Sequence, residues 1–357
     1  MKRLYIIAGE ASGDFLGAGI IDKLKGVNIK GIGGKLMESK GFKSLFDIND
    51  ISVGGLIEVI PHILKIKRLI NKTVDDILTN KADAILTIDS PGFCFRVAKK
   101  VRKRDPKIKL MHLVAPSVWA WRPGRAKSVA KLYDQLLTLF DFEPQYFVKY
   151  GLKTTFVGHP VVEKFAGANG EKEDILLLMP GSRTQEIKTL LPIFLKSLEN
   201  IEAKRIAIPT LPNLEPLVKA IIGAGNIEIV SDEDEKLKLY KSAKLAIVAS
   251  GTATLQLALS ECPMVVCYKL SWVSYWIVRS LIKVRFISLV NIILGEAVVP
   301  ELIQKDCSPE KISIAASKLN VDVQLKNFKK LRTKLIAEGK IPSEEIATAI
   351  SQCLNEN

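Results

Sequence analysis

The chain has 357 residues, 48% of them hydrophobic and 25% charged, a balance that excludes a disordered protein and predicts two globular domains. Its formal net charge of +14 predicts a polyanionic partner, namely nucleic acid, an anionic lipid surface or a phosphorylated substrate. Five scattered cysteines and three dispersed histidines argue against a disulfide framework or a metal site, and predict reduced thiols in a cytosol-like compartment.

The first apolar run follows two basic residues and ends at Gly9-Glu10. It is only about six residues long, too short for the apolar part of a signal peptide, and is predicted to be a buried first strand. No stretch approaches the roughly 18 apolar residues of a membrane-spanning helix. We therefore expect a protein that is soluble or lies on one face of a membrane.

Short β-branched runs then alternate with amphipathic helical runs, the pattern of βαβ units in a parallel α/β sheet. The clearest helix is predicted at residues 56–78, with an apolar stripe at Ile60, Ile63, Leu64, Ile70, Val74 and Ile77. Strands are predicted at residues 4–8, 29–32, 84–88, 110–114, 136–139 and 154–157, and again at 175–179, 206–208, 227–230, 245–249 and 264–268.

A small, polar, glycine-containing segment at residues 165–174 lacks an apolar period and is the predicted linker. Each half of the chain opens with a strand, a glycine-bearing loop and a helix. We therefore predict an α/β protein with two Rossmann-like domains that face each other across a cleft, at residues 1–165 and 174–357. The alternative for the last helix is that it packs back on the N-terminal domain.

Ligands of open α/β sheets bind beyond the carboxyl ends of the strands, so the loops that follow strands are the candidate sites. Pro180-Gly181-Ser182-Arg183 lies between a strand and a helix predicted to begin near Thr184. Gly181 would let the backbone approach an anion, the helix N-terminus would supply unpaired N–H groups, and Arg183 suits a diphosphate. A plain turn with a surface arginine is the alternative.

A second loop of this kind covers residues 249–256. Ser250 is a predicted N-cap, and the small hydroxyl residues around Gly251 suit contacts with phosphate or ribose. Ordinary helix capping is the alternative explanation for this loop. Its presence in the same half as residues 180–183 favours a shared nucleotide site.

The first half differs at its opening loop, residues 9–14, which lacks the GxGxxG spacing and carries two carboxylates that would repel a pyrophosphate. A sugar hydroxyl suits it better, unless Ser12 or Asp14 only caps the helix. Asp89 ends another predicted strand, where its carboxylate is placed to accept a proton from an attacking hydroxyl. The alternative is that Asp89 caps a turn before Pro91.

Two segments combine aromatic and basic residues. The first, residues 116–125, suits sugar or acyl stacking beside a phosphate, with packing between domains as the alternative. The second, residues 270–294, suits an anionic bilayer or an amphiphilic ligand, with ordinary helix burial as the alternative. The residues concerned are Trp119, Trp121, Arg122 and Arg125 in the first segment and Trp272, Trp276, Arg279 and Lys283 in the second.

Taken together, these segments resemble the lipid-A-disaccharide synthase family, glycosyltransferases of the GT-B fold. The matches occur in the family's order across residues 4–310, and so many ordered matches are specific where any one would be weak. They are AGEASGD (8–14), GIGG with a following Met and Gly (31–41), DSPGF (89–93), PSVWAWRPGR (116–125), FEP (142–144), FVGHP (156–160), MPGSRTQEI (179–187), ASGTATL (249–255), PMVVCYK (263–269) and VVPELIQ (298–304).

The resemblance implies an inverting hexosyltransferase. The 6′-hydroxyl of 2,3-diacylglucosamine 1-phosphate attacks C1 of UDP-2,3-diacylglucosamine, which gives the β-1,6-linked disaccharide and UDP. The N-terminal domain would hold the acceptor and the C-terminal domain the UDP-sugar. The resemblance also implies no cofactor, no bound metal, no nucleic acid, and a place at the cytoplasmic face of the inner membrane. A homo-oligomer is left open.

The family's site residues carry over onto particular positions. Asp89 is implied as the general base, Glu10 as a catalytic residue on the acceptor side, and Arg183 as the residue that stabilises the leaving diphosphate. The UDP side would be formed by Gly181, Ser182, Arg183, Ser250, Gly251, Thr252, Gln256, Asn291, Glu301 and Gln304. The acceptor and lipid side would be formed by Ser12, Trp119, Trp121, Arg122, Arg125, Trp272, Trp276 and Arg279.

Three positions depart from the family's pattern. Val290 stands where the family usually has proline, and Cys94 stands where it has asparagine. Gln256 replaces the glutamate expected to hold the uridine ribose. Gln256 still offers hydrogen bonds to a diol but lacks the strength of a charged acceptor, so this departure bears on donor affinity more than on reaction type.

Two other functions compete with this one. Another GT-B enzyme, such as a UDP-GlcNAc 2-epimerase, would share the UDP loops but needs no acyl-binding surface. A nucleic-acid-binding module is disfavoured, because Lys and Arg are spread along the chain and the strand-end loops are elaborated instead.

Overall fold

The computed structural model of this chain describes residues 1–51, 63–166, 170–223, 225–270 and 284–356. The described chain forms two compact units, Met1–Glu163 with Leu335–Asn357, and Lys164–Lys334. Residues 335–357 therefore lie with the first unit. None of the helices within the described ranges is long and apolar enough to cross a membrane.

The first unit is built on a sheet of six parallel strands in the order β2-β1-β3-β4-β5-β6. Both faces of this sheet are covered, because alternate residues of β1 pack into two separate cores. Leu4 and Ile6 lie in one core and Tyr5 and Ile7 in the other. Its elements are β1 Lys2–Ala8, α1 Ala11–Ile21, β2 Val27–Ile32, α2 Lys35–Glu38, α3 Ile63–Thr79, β3 Ala84–Ile88, α4 Pro91–Arg104, β4 Lys109–Leu113, α5 Arg125–Ala130, β5 Gln135–Thr138, α6 Gln145–Val148, β6 Lys153–Phe156 and α7 Val161–Lys164, with the last helix of the chain, Pro342–Asn355.

The second unit repeats this plan, with parallel strands in the order β12-β11-β10-β7-β8-β9. Its core includes Leu176 and Leu178 of the central strand, with Ile187 and Leu191 of the helix that follows it. Its elements are β7 Glu173–Met179, α8 Thr184–Ser197, β8 Arg205–Pro209, α9 Glu215–Ile222, β9 Glu228–Val230, α10 Glu233–Ser242, β10 Ala243–Ala249, α11 Ala253–Leu259, β11 Met264–Tyr268, α12 Leu289–Leu294, β12 Glu301–Ile303, α13 Pro309–Ser317 and α14 Val321–Lys334. The helix Pro342–Asn355 is α15.

Every predicted strand overlaps one of β1–β11, and the α/β class with two Rossmann-like units is confirmed. The sequence analysis missed β12, because three residues after Pro300 are too short for an alternating pattern. The predicted helix at 56–78 is described only from Ile63 onward. Within it Ile70, Val74 and Ile77 are buried, but Leu64 is 71% exposed, so its assignment to the buried stripe is wrong.

The strand order places one switch point in each unit. There, the chain leaves two neighbouring strands toward opposite edges of the sheet. In the first unit it lies between β1 and β3, and in the second between β7 and β10. Ligands of open α/β sheets bind at such points, beyond the carboxyl ends of the two strands. Of the predicted site residues, the loops after these four strands carry Glu10, Asp89, Gly181, Ser182, Arg183, Ser250, Gly251 and Thr252.

Candidate active site

The switch point of the first unit brings the loops after β1 and β3 into contact. Gly9 lies so close to Ser90 that a Cβ on Gly9 would stand 2.5 Å from the Cβ of Ser90, so only glycine fits there. Across this contact the Ser12 hydroxyl donates a hydrogen bond to the carboxylate of Asp89. Residues 77 positions apart in the sequence (89 − 12) thus form one polar cluster.

Asp89 is held in an unusual backbone conformation. Its φ is +50° and that of Ser90 is +43°, and neither is glycine. Left-handed backbone in such residues is costly and concentrates at functional sites. Burial raises the pKa of the Asp89 carboxyl, and the Ser90 N–H and Ser12 hydroxyl partly oppose this by donating to the carboxylate. A carboxylate of raised pKa is a stronger base, as proton abstraction from a hydroxyl requires.

The alternatives for Ser12 and Asp14 as caps of α1 are wrong. The N-cap of α1 is Glu10, which makes no side-chain capping bond there. The Asp14 carboxylate instead accepts hydrogen bonds from the backbone N–H groups of Gly34, Leu36 and Met37, at 2.8–3.1 Å. Asp14 therefore caps the separate helix α2. The Asp89 carboxylate does accept from the adjacent Ser90 N–H, the local contact that the capping alternative predicts, while the N-cap of α4 is Ser90.

The aromatic and basic residues at 116–125 separate into different environments. Trp119 packs edge-on against Phe142 at 5.5 Å and donates from Nε1 to Glu143 at 3.4 Å. Trp121 is 36% exposed, and the Arg122 guanidinium stacks over its ring at 4.2 Å. The Trp121–Arg122 pair is therefore presented to solvent, which fits a surface that contacts a ligand, whereas Trp119 is half-buried against Phe142 and Glu143.

Glu143 is a buried carboxyl that the sequence analysis quoted within a motif but did not single out. Burial raises its pKa to about 8, although Phe140 N and Trp119 Nε1 donate to it. Among the described residues Glu143 forms no ion pair, so with this raised pKa the neutral acid is favoured at neutral pH. Its only signal in the sequence is the FEP motif that carries it.

Replacing Glu143 by glutamine should change how stability depends on pH. The native carboxyl holds its proton up to about pH 8, whereas the unfolded one loses it near 4.5. Between these values the native state binds more protons, so the wild type should lose up to about 1.4 kcal/mol of stability per pH unit as pH rises. Glu143→Gln should lack this loss. Calorimetric unfolding at pH 5 and pH 8 measures it, with the exposed Glu38→Gln as control. Equal pH slopes in wild type and Glu143→Gln would contradict the assignment.

The switch point of the second unit opens into a cavity of about 380 Å³, a size suited to a small ligand. Its walls come from the loops after β7 and β10, from the end of β8 and from α10. The predicted residues that line it are Gly181, Ser182, Arg183, Ser250, Gly251, Thr252 and Gln256. The lining that the sequence analysis missed includes Lys164, Glu186, Thr210, Glu233, Lys236 and Tyr240. We call this cavity the donor pocket, after the UDP-sugar side predicted for its loops.

The loop after β7 differs from the prediction in one respect. Glu186, in the first turn of α8, accepts hydrogen bonds from the N–H groups of Ser182 and Arg183 at 3.1 and 3.3 Å. These groups were expected to be unpaired, and that expectation is wrong, because a glutamate at the third helical position reaches back to them. Gly181 makes this possible: its φ is +111°, and a Cβ there would stand 2.9 Å from the Cβ of Glu186.

Arg183 gives this loop an exposed cation. Its guanidinium donates to Glu186 at 3.0 Å, but 79% of its side chain is exposed. Ion pairs this exposed contribute little to stability, so a stronger anion can displace the pairing. Arg183 is therefore able to turn toward a ligand in the pocket.

Ser250 is not the N-cap of α11, which is Thr252. The Ser250 hydroxyl instead donates to the carbonyl of Ile287 at 2.8 Å, 37 positions along the chain. The predicted N-cap is therefore wrong, because α11 begins two residues later in the chain than that cap requires. The bond ties the pocket loop to the segment before α12.

That segment is held by Glu301, another predicted UDP-side residue, which Asn291 supports. Glu301 accepts from Ile287 N and Ser288 N, both at 2.9 Å, and from the side chain of Asn291. Asn291 is buried and also bonds the backbone of residues 298 and 299. Gln304 pairs with the backbone of Leu270. None of these three residues lines the described donor pocket. Glu301 and Asn291 stabilise the segment to which Ser250 bonds.

The remaining predicted residues lie elsewhere. Arg125 is half-buried, with its guanidinium 5.8 Å from the Phe95 ring. Trp272, Trp276 and Arg279, with Lys283, fall at residues 271–283, outside the described residues. Across the described ranges, no group of three or more His, Cys, Asp or Glu side chains is arranged to hold a metal ion.

Comparison with known proteins places these features in a family. A family model described as lipid-A-disaccharide synthetase matches residues 4–353. A lipid-A-disaccharide synthase of Rickettsia typhi is 43% identical and the match covers 99% of both chains. One of Rickettsia prowazekii is 44% identical, over 96% of this chain and 93% of that protein.

Solved structures extend the likeness of fold to more distant proteins. A UDP-GlcNAc 2-epimerase from Neisseria meningitidis bound to UDP-GlcNAc superposes with a TM-score of 0.65, at 14% identity and over the whole of both chains. MurG of Acinetobacter baumannii does so with a TM-score of 0.61, at 14% identity, over 99% of this chain and all of that one. At such identities the likeness shows the GT-B fold and nothing further.

Proposed function

Because this chain belongs to the lipid-A-disaccharide synthase family, we propose that it transfers 2,3-diacylglucosamine from UDP to the 6′-hydroxyl of 2,3-diacylglucosamine 1-phosphate. The chain is a glycosyltransferase that uses a UDP-sugar. The products are the β-1,6-linked disaccharide 1-phosphate and UDP. The observation that carries the assignment of its donor side is the cavity at the switch point between β7 and β10.

In this proposal the second unit binds the UDP-sugar. Arg183 neutralises the diphosphate, and the small residues of the loop after β10 let it approach the backbone. The carboxylate of Glu186 already holds two of the backbone N–H groups at this end of the pocket. A diphosphate that used these groups would have to displace Glu186.

The first unit supplies the acceptor side and the base. Asp89 takes the proton from the attacking hydroxyl while the bond between C1 and the diphosphate oxygen breaks, and the bonding electrons leave with UDP. Ser12 orients the Asp89 carboxylate through its hydrogen bond. Burial raises the pKa of the Cys94 thiol, and the negative charges of Asp89 and Glu10 raise it further, so both carboxylates act on the same buried group.

One assay tests this function directly. UDP release is measured when the two diacylglucosamine substrates are mixed in detergent, and the product is identified by mass. The expected product has the summed mass of the two substrates minus the mass of UDP. Turnover of UDP-GlcNAc alone, with none of the diacylated donor, would instead identify a 2-epimerase and overturn the proposal.

The proposal includes a membrane surface as the source of both lipid substrates. Its support is a groove between α3 and α4 with Ile66 and Ile70 at its base, and Leu64 nearby is 71% exposed. The other side chains that line this groove are all cationic: Lys67, Arg96, Lys99, Lys100 and Lys103. An apolar floor with a cationic rim is complementary to anionic lipid at a bilayer surface.

Charge reversal on the groove tests this part. Each lysine near an anionic bilayer contributes about 1 kcal/mol, so Lys99→Glu with Lys103→Glu should weaken binding to phosphatidylglycerol vesicles by about 30-fold or more. Flotation with these vesicles measures binding, and Lys25→Glu with Lys81→Glu makes the same charge change outside the groove. Equal losses in both double variants would assign the effect to net charge instead of the groove.

A further inference from the structure

The far wall of the donor pocket, formed by the end of β8 and by α10, carries polar groups that the proposed reaction does not use. Strand β8 lies next to β7 in the sheet, so this wall stands one strand spacing, about 4.8 Å, beyond the Gly181 loop. Apolar surface lies beside those polar groups, from Leu211, Leu237 and Tyr240. The wall thus offers a flat ring both packing and hydrogen bonds.

Lys236 is the first of these groups. Only 7% of its side chain is exposed, and its Nζ donates to Thr210 O at 3.3 Å and to the Glu233 carboxylate. Glu233 is held in turn by Lys164 at 3.1 Å, so the buried charge is compensated and fixed in place. An ammonium group has three N–H donors and no acceptor. The described partners use two of them, which leaves one for a ligand.

Thr210 is the second group. Its backbone is satisfied, since its N–H donates to Val230 O at 2.9 Å and its carbonyl accepts from Lys236. Its side-chain oxygen is buried and has no hydrogen-bond partner among the described residues. A buried hydroxyl without a partner is uncommon and costly, and Thr210 lines the cavity. A ligand with a polar edge would supply the missing bond.

We infer that Lys236 and Thr210 bind the edge of the nucleotide base, and that Lys236 makes the pocket select uracil over cytosine. This inference rests on the proposed function, which places a UDP-sugar in the pocket. Uracil presents a carbonyl oxygen at C4, where cytosine presents an amino group. Because the ammonium of Lys236 can only donate, it bonds the carbonyl and is repelled by the amino group.

The two residues should differ in what they discriminate. The Thr210 hydroxyl rotates, so it accepts from the N3–H of uracil or donates to the bare N3 of cytosine. It therefore supports both bases alike. Lys236 can only donate, so it is the residue that makes the pocket selective for uracil. A lysine that merely tied α10 to the end of β8 would influence stability and leave the ratio of the two affinities unchanged.

The test compares UDP and CDP affinity by titration calorimetry on the full chain. The wild type should prefer UDP by about 10-fold to 100-fold, the worth of one charged hydrogen bond. Lys236→Met should bring this ratio close to one, whereas Thr210→Val should weaken both nucleotides by about 3-fold to 10-fold and keep the ratio. Lys219→Met is the matched control, since Lys219 is an exposed lysine paired with Glu215 and outside the pocket.

Each outcome decides a separate question. If Lys236→Met does not fold, as its melting without nucleotide would reveal, Lys236→Gln replaces it, because an amide both donates and accepts and should also lose the preference. A retained UDP preference in the Lys236 variant, or equal wild-type affinity for UDP and CDP, overturns this inference and leaves the glycosyltransferase intact. A wild type that binds neither nucleotide overturns the proposed donor site itself.

Discussion

Asp89→Asn is expected to lower kcat by about 10²–10⁴-fold, the usual contribution of a general base. Asparagine keeps the size of the side chain and can still accept the hydrogen bonds from Ser90 N and Ser12, so the loop after β3 should keep its conformation. It cannot take the proton of the attacking hydroxyl. UDP release from the two lipid substrates measures the loss.

The same variant should bind UDP within about twofold of the wild type, because Asp89 and the donor pocket belong to different units of the chain. This separates loss of chemistry from loss of structure. The matched control is Asp22→Asn, an exposed aspartate paired with Lys40. Near-wild-type turnover in Asp89→Asn would remove Asp89 from the role of base.

The pH profile offers a second view of the same residue. The base acts as the carboxylate, so kcat should fall as pH drops through the Asp89 pKa and should be flat above it. Burial raises that pKa, so the fall should begin at a higher pH than for an ordinary aspartate. The small residual activity of Asp89→Asn should lack this acidic limb.

Arg183→Ala is expected to weaken UDP binding by about 10-fold to 100-fold and to lower kcat/KM by about 10²-fold, near 2.7 kcal/mol of transition-state stabilisation. Both effects follow because the guanidinium meets the diphosphate in the bound nucleotide and again as its charge increases on leaving. Calorimetric titration of UDP and the UDP-release assay measure them.

Arg205→Ala provides the control for this change. Arg205 is also an exposed arginine of the second unit, paired with Glu173 and Glu228 and outside the donor pocket. It should leave UDP affinity unchanged. If Arg183→Ala bound UDP as tightly as the wild type, the phosphate role of Arg183 would be wrong. Arg183 would then stay paired with Glu186 when UDP is bound.

The sequence by itself determined the fold class and the loops in which chemistry is concentrated. Buried parallel strands are continuous β-branched runs, and such runs are visible without tertiary information. The loops that follow strands are therefore visible too, which is why residues 180–183 and 249–256 were found. The resemblance to a family added the reaction, since loops of this kind serve many α/β enzymes.

Only the tertiary structure decided which loops meet. The order β2-β1-β3 places Ser12 beside Asp89, and β10 beside β7 forms the donor pocket. It also decided where polar groups find partners. Ser250 bonds Ile287 and not its own helix, and Lys236 and Thr210 are hidden in the sequence as one lysine and one threonine among many. Hydrogen-bond partners and burial depend on packing between distant segments, and a linear pattern records only the periodicity of each segment.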